Sequence, residues 1–90
     1  MPTVYLLISG KVQGVFYRAS AREKAESLGI SGWVRNTEAG DVEAMATGTH
    51  ERLEQWISWC RQGPPRAVVS DVVITTMPEE IFEGFKVKRN

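Results

Sequence analysis

The order of strand-type and helix-type segments constrains the fold of this chain more than any other feature of its sequence. Residues Thr3–Ser9 carry apolar or β-branched side chains on both faces, which predicts an internal strand that ends at Gly10. From Arg18 to Gly29, apolar residues recur at helical spacing and most charged residues face outward, which predicts a first helix with Gly29 at its C-terminal cap. The recurring residues are Ala21, Ala25 and Leu28.

The middle of the chain predicts a hairpin followed by a second helix. Residues Ile30–Asn36 and Asp41–Thr47 are strand-type, and the short Thr37–Gly40 loop between them ends in a glycine that can supply a positive φ. Thr49 is a suitable N-cap for the second helix, which Gly63-Pro64-Pro65 stops. The apolar stripe of this helix consists of Leu53, Trp56, Ile57 and Cys60.

Two more strand-type segments complete the pattern. Ala67–Met77 predicts a long strand, and the alternation of apolar and lysine residues over Phe85–Lys88 predicts a short closing strand. The order βαββαβ within one short chain indicates an α+β, ferredoxin-like fold, with an antiparallel sheet, two helices on one face and a short extra C-terminal strand. We expect residues 1–90 to form a single domain.

The charge balance argues against nucleic acid and membranes as partners. Eleven Lys and Arg residues balance eleven Asp and Glu residues, so no net field attracts a polyanion or an anionic lipid surface. The sequence starts without a signal-type segment and contains no apolar run of membrane-spanning length. We therefore expect a cytoplasmic protein, monomeric, with neither a nucleic-acid nor a membrane partner.

The single cysteine and the single histidine do not indicate a reactive or metal-binding site. Cys60 lies on the apolar stripe of the second helix, without a second cysteine or a nearby histidine, so we predict a core residue. His50 lies near the start of that helix without triad partners, and we predict a surface residue. Trp56 is predicted in the core, whereas Trp33 and Trp59 are predicted to be partly exposed. The sequence predicts no metal and no cofactor.

The segment between the first strand and the first helix is suited to binding an anion. This Gly10–Arg18 segment has glycines at two points, Gly10 and Gly14, where the backbone can take unusual dihedral angles and turn several N–H groups inward. The helix that follows adds its unsatisfied N-terminal donors. Arg18, in the first helical turn, meets the positive end of the helix dipole, which is unfavourable unless an anion is bound there. Its guanidinium can bind two oxygens of a phosphate.

Both local signals have plain structural alternatives. The two glycines could only permit a tight connection beside a solvated Arg18, and the segment lacks the Walker lysine and a complete dinucleotide-binding glycine pattern. Asn36, which precedes Thr37-Glu38-Ala39-Gly40, could simply begin the hairpin turn. The residues alone leave these alternatives open.

Two motifs together resemble the acylphosphatase family. They are Gly10-Lys11-Val12-Gln13-Gly14-Val15-Phe16-Tyr17-Arg18 and the stretch from Gly32-Trp33-Val34-Arg35-Asn36 through Gly40-Asp41-Val42 to Gly48, in the family's order and spacing. The resemblance covers nearly the whole chain. It implies a ferredoxin-like fold and metal-free hydrolysis of the carboxyl–phosphate bond of a small-molecule acylphosphate.

The resemblance also implies roles for individual residues. Arg18 and Asn36 correspond to the catalytic pair, in which the arginine binds phosphate and the asparagine orients water. The phosphate-binding cradle corresponds to backbone amides of the residues that precede and include the arginine, namely Gln13, Gly14, Val15, Phe16, Tyr17 and Arg18. We expect Gly32 and Gly40 to be structural.

Two other functions are compatible with this fold class. The first is a non-catalytic module that binds phosphate or carbamoyl phosphate, which would use the same segment and Arg18 without turnover. The second is an RNA-binding domain, which would need basic and exposed aromatic residues interleaved on the central strands. Residues Val4–Ser9 and Asp41–Thr47 lack that pattern, and the presence of Asn36 favours catalysis over binding alone.

Overall fold

The computed structural model describes residues 1–89, and its elements follow the predicted order. The strands are β1 (Thr3–Lys11), β2 (Ser31–Asn36), β3 (Val42–Thr47), β4 (Val68–Met77) and β5 (Phe85–Val87), and the helices are α1 (Tyr17–Ser27) and α2 (His50–Gln62). The predicted βαββαβ order with an extra C-terminal strand is confirmed.

The five strands form one sheet in the order β4-β1-β3-β2-β5. The first four pair antiparallel, as predicted, and the central β1 lies between β3 and β4. β5 instead pairs parallel to β2, with Gly32 opposite Phe85 and Val34 opposite Val87. The complete sheet is therefore mixed, and its parallel edge places the C-terminal strand beside the strand that ends in Asn36.

One face of the sheet and the two helices enclose the core. Alternate residues of the strands are buried on this face, and both helices contribute buried side chains to the same apolar cluster. Trp56 of α2 is fully buried, donates its indole N–H to the Ala21 carbonyl of α1 over 3.1 Å and packs edge-on against Phe85. The core predictions for Trp56 and Cys60 are confirmed, as is the exposed position of His50.

The end of β1 differs from the prediction, because the strand does not end at Gly10 but continues to Lys11. Its register against β4 shifts between Ser9 and Gly10, which is a β-bulge. Gly10 has φ 123°, and a Cβ atom there would lie 2.2 Å from the Val68 carbonyl oxygen. Only glycine permits this approach, so Gly10 carries the strand through the bulge towards the segment that follows.

The other element boundaries move by one or two residues for identifiable reasons. Helix α1 starts one residue earlier, at Tyr17, and ends in a Schellman motif, in which the Ile30 N–H donates to Ala25 O at 2.9 Å and Gly29 has φ 67°. Because Ile30 completes that motif, β2 starts at Ser31. The Ala67 N–H closes a turn onto Pro64 O, so β4 starts at Val68.

The residues between β4 and β5 connect opposite edges of the sheet. This crossing segment, residues 78–84, is held by Glu80, whose backbone N–H donates to Thr3 Oγ1 at 2.9 Å and whose carbonyl accepts from Thr47 Oγ1 at 2.7 Å. The two threonine hydroxyls lie 2.6 Å apart. The four hydrogen-bonding groups form a closed ring that fixes the path of the chain into β5.

Candidate functional site

Arg18 and Asn36 lie on two different secondary-structure elements but line the same cleft. Arg18 is the second residue of α1, and Asn36 is the last residue of β2. Both line a depression of about 320 Å³, which we call the Arg18 cleft. Its other lining residues are Val12, Gly14, Phe16, Tyr17, Ala19 and Val87.

The Gly10–Arg18 segment bends sharply where it reaches this cleft. Gly14 has φ 74° and Phe16 has φ 64°, so two residues separated by one position take left-handed conformations. Left-handed residues interspersed among right-handed ones turn successive N–H groups towards one side of the chain, which is how backbone concavities for anions are built. Gly14 and Phe16 supply the positive-φ part of this pattern.

The first turn of α1 is not capped by its preceding side chain. Its N-cap residue is Phe16, whose phenyl ring has no hydrogen-bond acceptor, and no acidic residue occupies the first turn. Helix α2 shows the usual alternative, since Thr49 Oγ1 accepts from the Arg52 N–H at 3.3 Å. The amino end of α1 thus combines helix-terminal donors with an aromatic residue that cannot satisfy them.

Arg18 is held at the edge of the cleft by the C-terminal part of the chain. Its Nη1 atom donates to the Lys88 carbonyl at 3.3 Å, just beyond β5. The side chain is half-buried, so part of the guanidinium faces solvent. A guanidinium with one N–H fixed in this way retains other donors for a ligand in the cleft.

Asn36 offers a buried acceptor. Its side-chain carbonyl oxygen, Oδ1, is buried and accepts no hydrogen bond from residues 1–89. Buried polar atoms in folded proteins almost always have a partner, and an exception needs an explanation such as a bound water or ligand. Asn36 lines the Arg18 cleft, and it also lines a neighbouring depression of about 310 Å³.

The predicted cradle residues divide into two groups. Gly14, Phe16, Tyr17 and Arg18 line the cleft, whereas the side chains of Gln13 and Val15 lie elsewhere. Val15 is buried in the core, and Gln13 Nε2 donates to Thr37 O at 3.0 Å and to Asp41 O at 2.8 Å. A contribution of these two residues to anion binding would come from their backbone amides.

The Tyr17 hydroxyl is directed away from the cleft. It donates to the Cys60 carbonyl at 2.7 Å in the interior between the two helices. Burial, together with its contact with Cys60, raises the pKa of Tyr17 above its ordinary value. Tyr17 therefore stays neutral near pH 7 and contributes to the cleft as a ring rather than as an acid.

Sequence reasoning missed the apolar wall of the cleft and the support of Arg18. Val12, Ala19 and Val87 line the cleft, and Lys88 holds Arg18 through its carbonyl. Val87 and Lys88 lie about 70 residues from Arg18 along the chain, and they reach it because β5 pairs parallel to β2. The alternation over Phe85–Lys88 signals a strand but not its partner, so no sequence signal identifies them.

Other parts of the surface are less suited to this chemistry. A larger depression of about 860 Å³ lies between the C-terminus of α1 and the N-terminus of α2, and neither Arg18 nor Asn36 lines it. Within residues 1–89, no three His, Cys, Asp or Glu side chains come together as a metal-binding group. No helix in that range has the length and apolar content needed to cross a membrane.

Comparisons with known proteins agree with the arrangement of the two motifs. The sequence model of the acylphosphatase family matches residues 4–87. An acylphosphatase from Acaryochloris marina is 49% identical over 92 residues, which cover 99% of both chains. The structure of an acylphosphatase from Coxiella burnetii superposes with a TM-score of 0.93 at 41% identity, covering 97% of this chain and 92% of the other.

A solved structure with lower sequence identity also superposes over nearly the whole chain. The crystal structure of acylphosphatase from Bacillus subtilis has a TM-score of 0.95 at 28% identity, with 98% of this chain and 99% of the other covered. The family model spans both the Gly10–Arg18 segment and Asn36, and the relatives match over nearly their full lengths. The chain therefore belongs to the acylphosphatase family.

Proposed function

We propose that this chain, as an acylphosphatase, hydrolyses the carboxyl–phosphate bond of small-molecule acylphosphates in the Arg18 cleft, without a metal ion. The observation that carries the proposal is that Asn36, whose Oδ1 atom is buried and accepts no hydrogen bond from residues 1–89, lines the same cleft as Arg18. The Arg18 guanidinium is suited to binding an anion, and the Asn36 side-chain carbonyl is suited to binding a water molecule. Together they fit attack of water on a bound phosphoryl group.

The phosphoryl group is bound by backbone N–H groups and by Arg18. The amides of residues 13–18, at the uncapped start of α1, donate to its oxygens, and the guanidinium binds the same group through its planar fork. Charge on the equatorial oxygens is thereby stabilised as the transition state forms. The Lys88 carbonyl supports this role by restricting the Arg18 side chain.

Asn36 holds the attacking water. Its Oδ1 accepts a hydrogen bond from the water, while its NH₂ group contacts the ligand, which leaves a water lone pair directed at phosphorus. The new bond forms between water oxygen and phosphorus, and the bond from phosphorus to the acyl oxygen breaks with both electrons going to a carboxylate. A phosphoryl oxygen takes the water proton. The leaving carboxylate is stable near pH 7, so no general acid is required.

The experiment that tests this proposal compares wild type with Arg18 variants. We expect wild type to hydrolyse benzoyl phosphate in the presence of a chelator. Arg18→Ala should lose turnover and weaken inhibition by inorganic phosphate, and Arg18→Lys should also lose most activity, because an ammonium keeps the charge but not the fork. Arg22→Ala, which removes an exposed arginine from the same helix, is the matched control and should behave as wild type.

The outcomes separate this function from its alternative. Wild type that binds phosphate but turns over no acylphosphate would indicate a binding module for phosphate or carbamoyl phosphate. Turnover that requires a divalent cation would contradict the metal-free mechanism. Full activity in Arg18→Lys would contradict the assigned role of the guanidinium.

We also propose that residues 1–90 act as one domain, as a cytoplasmic monomer without nucleic-acid or membrane partners. The formal net charge is zero, so no long-range field attracts a polyanion or an anionic lipid surface. Cys60 is a buried free thiol, which is usual in proteins of reducing compartments. Light scattering should give the mass of one chain, and a larger mass at working concentrations would contradict the monomer.

A further inference from the structure

Phe16 combines two features that are unfavourable for an aromatic residue. Its φ of 64° and ψ of 26° are left-handed, and among the described residues it is the one non-glycine residue with positive φ. Glycine and asparagine adopt this conformation at lower cost. The residue is also 73% exposed, so burial in the core does not explain the ring. A large aromatic side chain at this position therefore needs another reason.

The location of Phe16 suggests that reason. It lines the Arg18 cleft and immediately precedes α1, whose first turn carries Arg18. A phosphoryl group bound by the α1 amides would lie close to the Phe16 backbone. The acyl group attached to it must leave the cradle towards solvent, and an exposed ring at the cleft edge is placed to contact it.

The cleft lining favours an apolar acyl group over a charged one. Arg18 is the one charged residue among those described that line the cleft, and the proposed mechanism assigns it to the phosphoryl group. The lining also includes the apolar Val12, Ala19 and Val87. The nearby Lys88 directs its Nζ to the Trp33 ring, 4.4 Å from the ring centroid. A second anionic group on the acyl portion would find no charged partner in the lining.

We propose that the Phe16 ring is the acyl-group contact and gives the enzyme a preference for acylphosphates with aromatic or bulky apolar acyl groups. This inference rests on the proposed function and adds the substrate class. Phe16 acts through its backbone on the phosphoryl group and through its ring on the acyl group. The ring is a specificity determinant, and its loss should affect substrates according to the acyl group they carry.

The first experiment measures the ratio of kcat/KM for benzoyl phosphate to kcat/KM for acetyl phosphate. Damage to the shared phosphoryl cradle affects both substrates and cancels in the ratio. Phe16→Asn tolerates the left-handed backbone and removes the ring, so its ratio should fall roughly threefold to tenfold, mainly through KM for benzoyl phosphate. Phe16→Tyr retains the ring and should keep the wild-type ratio. An unchanged ratio in Phe16→Asn would overturn the proposal.

A second experiment needs no variant and no turnover. Calorimetric titration of wild type with benzylphosphonate and with methylphosphonate compares two anions that share a head group and differ in the apolar portion. We expect benzylphosphonate to bind roughly threefold to tenfold more tightly. Equal affinities would overturn the inference about Phe16. Wild type that hydrolyses neither acylphosphate while discriminating between the phosphonates would instead contradict the proposed catalysis alone.

Discussion

Gln13 connects the two halves of the candidate site through a single side-chain amide. Its Nε2 donates to the carbonyls of Thr37 and Asp41, which flank the turn that follows Asn36. Gln13 itself belongs to the Gly10–Arg18 segment. The amide thus ties the proposed phosphoryl cradle to the strand end that carries the proposed water-binding residue, and we infer that it sets the distance between them.

Replacing Gln13 with methionine should disturb this distance. Gln13→Met keeps the length of the side chain but removes both of its hydrogen bonds, so the Thr37 and Asp41 carbonyls keep only the bonds within their own turn. We expect a loss of about 1–3 kcal/mol in the free energy of unfolding and of about 10- to 100-fold in kcat/KM, because small misplacements of reacting groups are costly.

Urea unfolding and benzoyl phosphate kinetics measure the two effects of Gln13→Met. Gln55→Met, at an exposed position of α2, is the matched control and should change neither quantity. A Gln13→Met variant with wild-type kcat/KM would show that the link to the turn does not position the site.

The two helices are joined by buried hydrogen bonds that depend on neutral side chains. Tyr17 of α1 donates to the Cys60 carbonyl of α2, and Trp56 donates to Ala21 O in the opposite direction. Burial raises the pKa of the Cys60 thiol from 9.0 to about 12, and burial also raises the pKa of the Tyr17 hydroxyl above 10.0. Both groups therefore ionise at a lower pH in the unfolded chain than in the folded protein.

This difference predicts loss of stability in alkali. Below about pH 8 both groups are protonated in both states, and their contribution is constant. As the pH rises from 9 towards 12, the unfolded thiol ionises while the folded one does not, so stability should fall by up to about 1.4 kcal/mol per pH unit. Tyr17 adds to the loss above pH 10.

Urea unfolding between pH 7 and 11 measures this dependence. Cys60→Ala lacks the thiol, so its stability should fall less steeply than that of wild type between pH 9 and 10. Identical pH profiles for the two proteins would contradict the assignment of the alkaline loss to Cys60.

At the scale of the whole molecule, the crossing segment connects the two edges of the sheet. It runs from β4, at one edge, to β5, which pairs with β2 at the other edge. The ring formed by Thr3, Thr47 and the backbone of Glu80 anchors that segment on two central strands. The directions of its hydrogen bonds are determined. Thr47 must donate to the Glu80 carbonyl, so Thr3 donates to Thr47 and accepts from the Glu80 N–H.

Removing one hydroxyl from this ring should destabilise the fold. Thr47→Val keeps the shape of the side chain but leaves the Glu80 carbonyl without its donor and the Thr3 hydroxyl without its acceptor, at a cost of about 1–3 kcal/mol in the free energy of unfolding. Thr47→Ser retains the hydroxyl and should lose less. Urea unfolding distinguishes the two variants, and equal stabilities would show that the ring does not contribute as described.

The sequence predicted the order of elements because each one carries its own local pattern. The helical stripe of α2 and the cap at Thr49 depend on near neighbours in the chain, and both were predicted. The β-bulge at Gly10 and the parallel pairing of β5 with β2 depend on contacts between distant residues, which local periodicity does not encode.

The same distinction applies to the candidate site. Arg18 and Asn36 could be identified from motifs, since each motif is continuous in sequence. Val87 and the Lys88 carbonyl could not, because they reach the cleft only through the path of the crossing segment. The hydrogen bonds of the Gln13 side chain were also unpredicted, because their acceptors are backbone atoms of a turn more than twenty residues away.

The most direct test of the proposed mechanism separates catalysis from phosphate binding in one variant, Asn36→Ala. We predict that kcat for benzoyl phosphate falls at least 100-fold, which corresponds to a loss of about 2.7 kcal/mol or more of transition-state stabilisation, while the variant still binds inorganic phosphate. Arg18→Ala, in contrast, should lose both turnover of benzoyl phosphate and affinity for inorganic phosphate. Wild-type kcat in a folded Asn36→Ala protein would contradict the assignment of Asn36 as the residue that holds the attacking water.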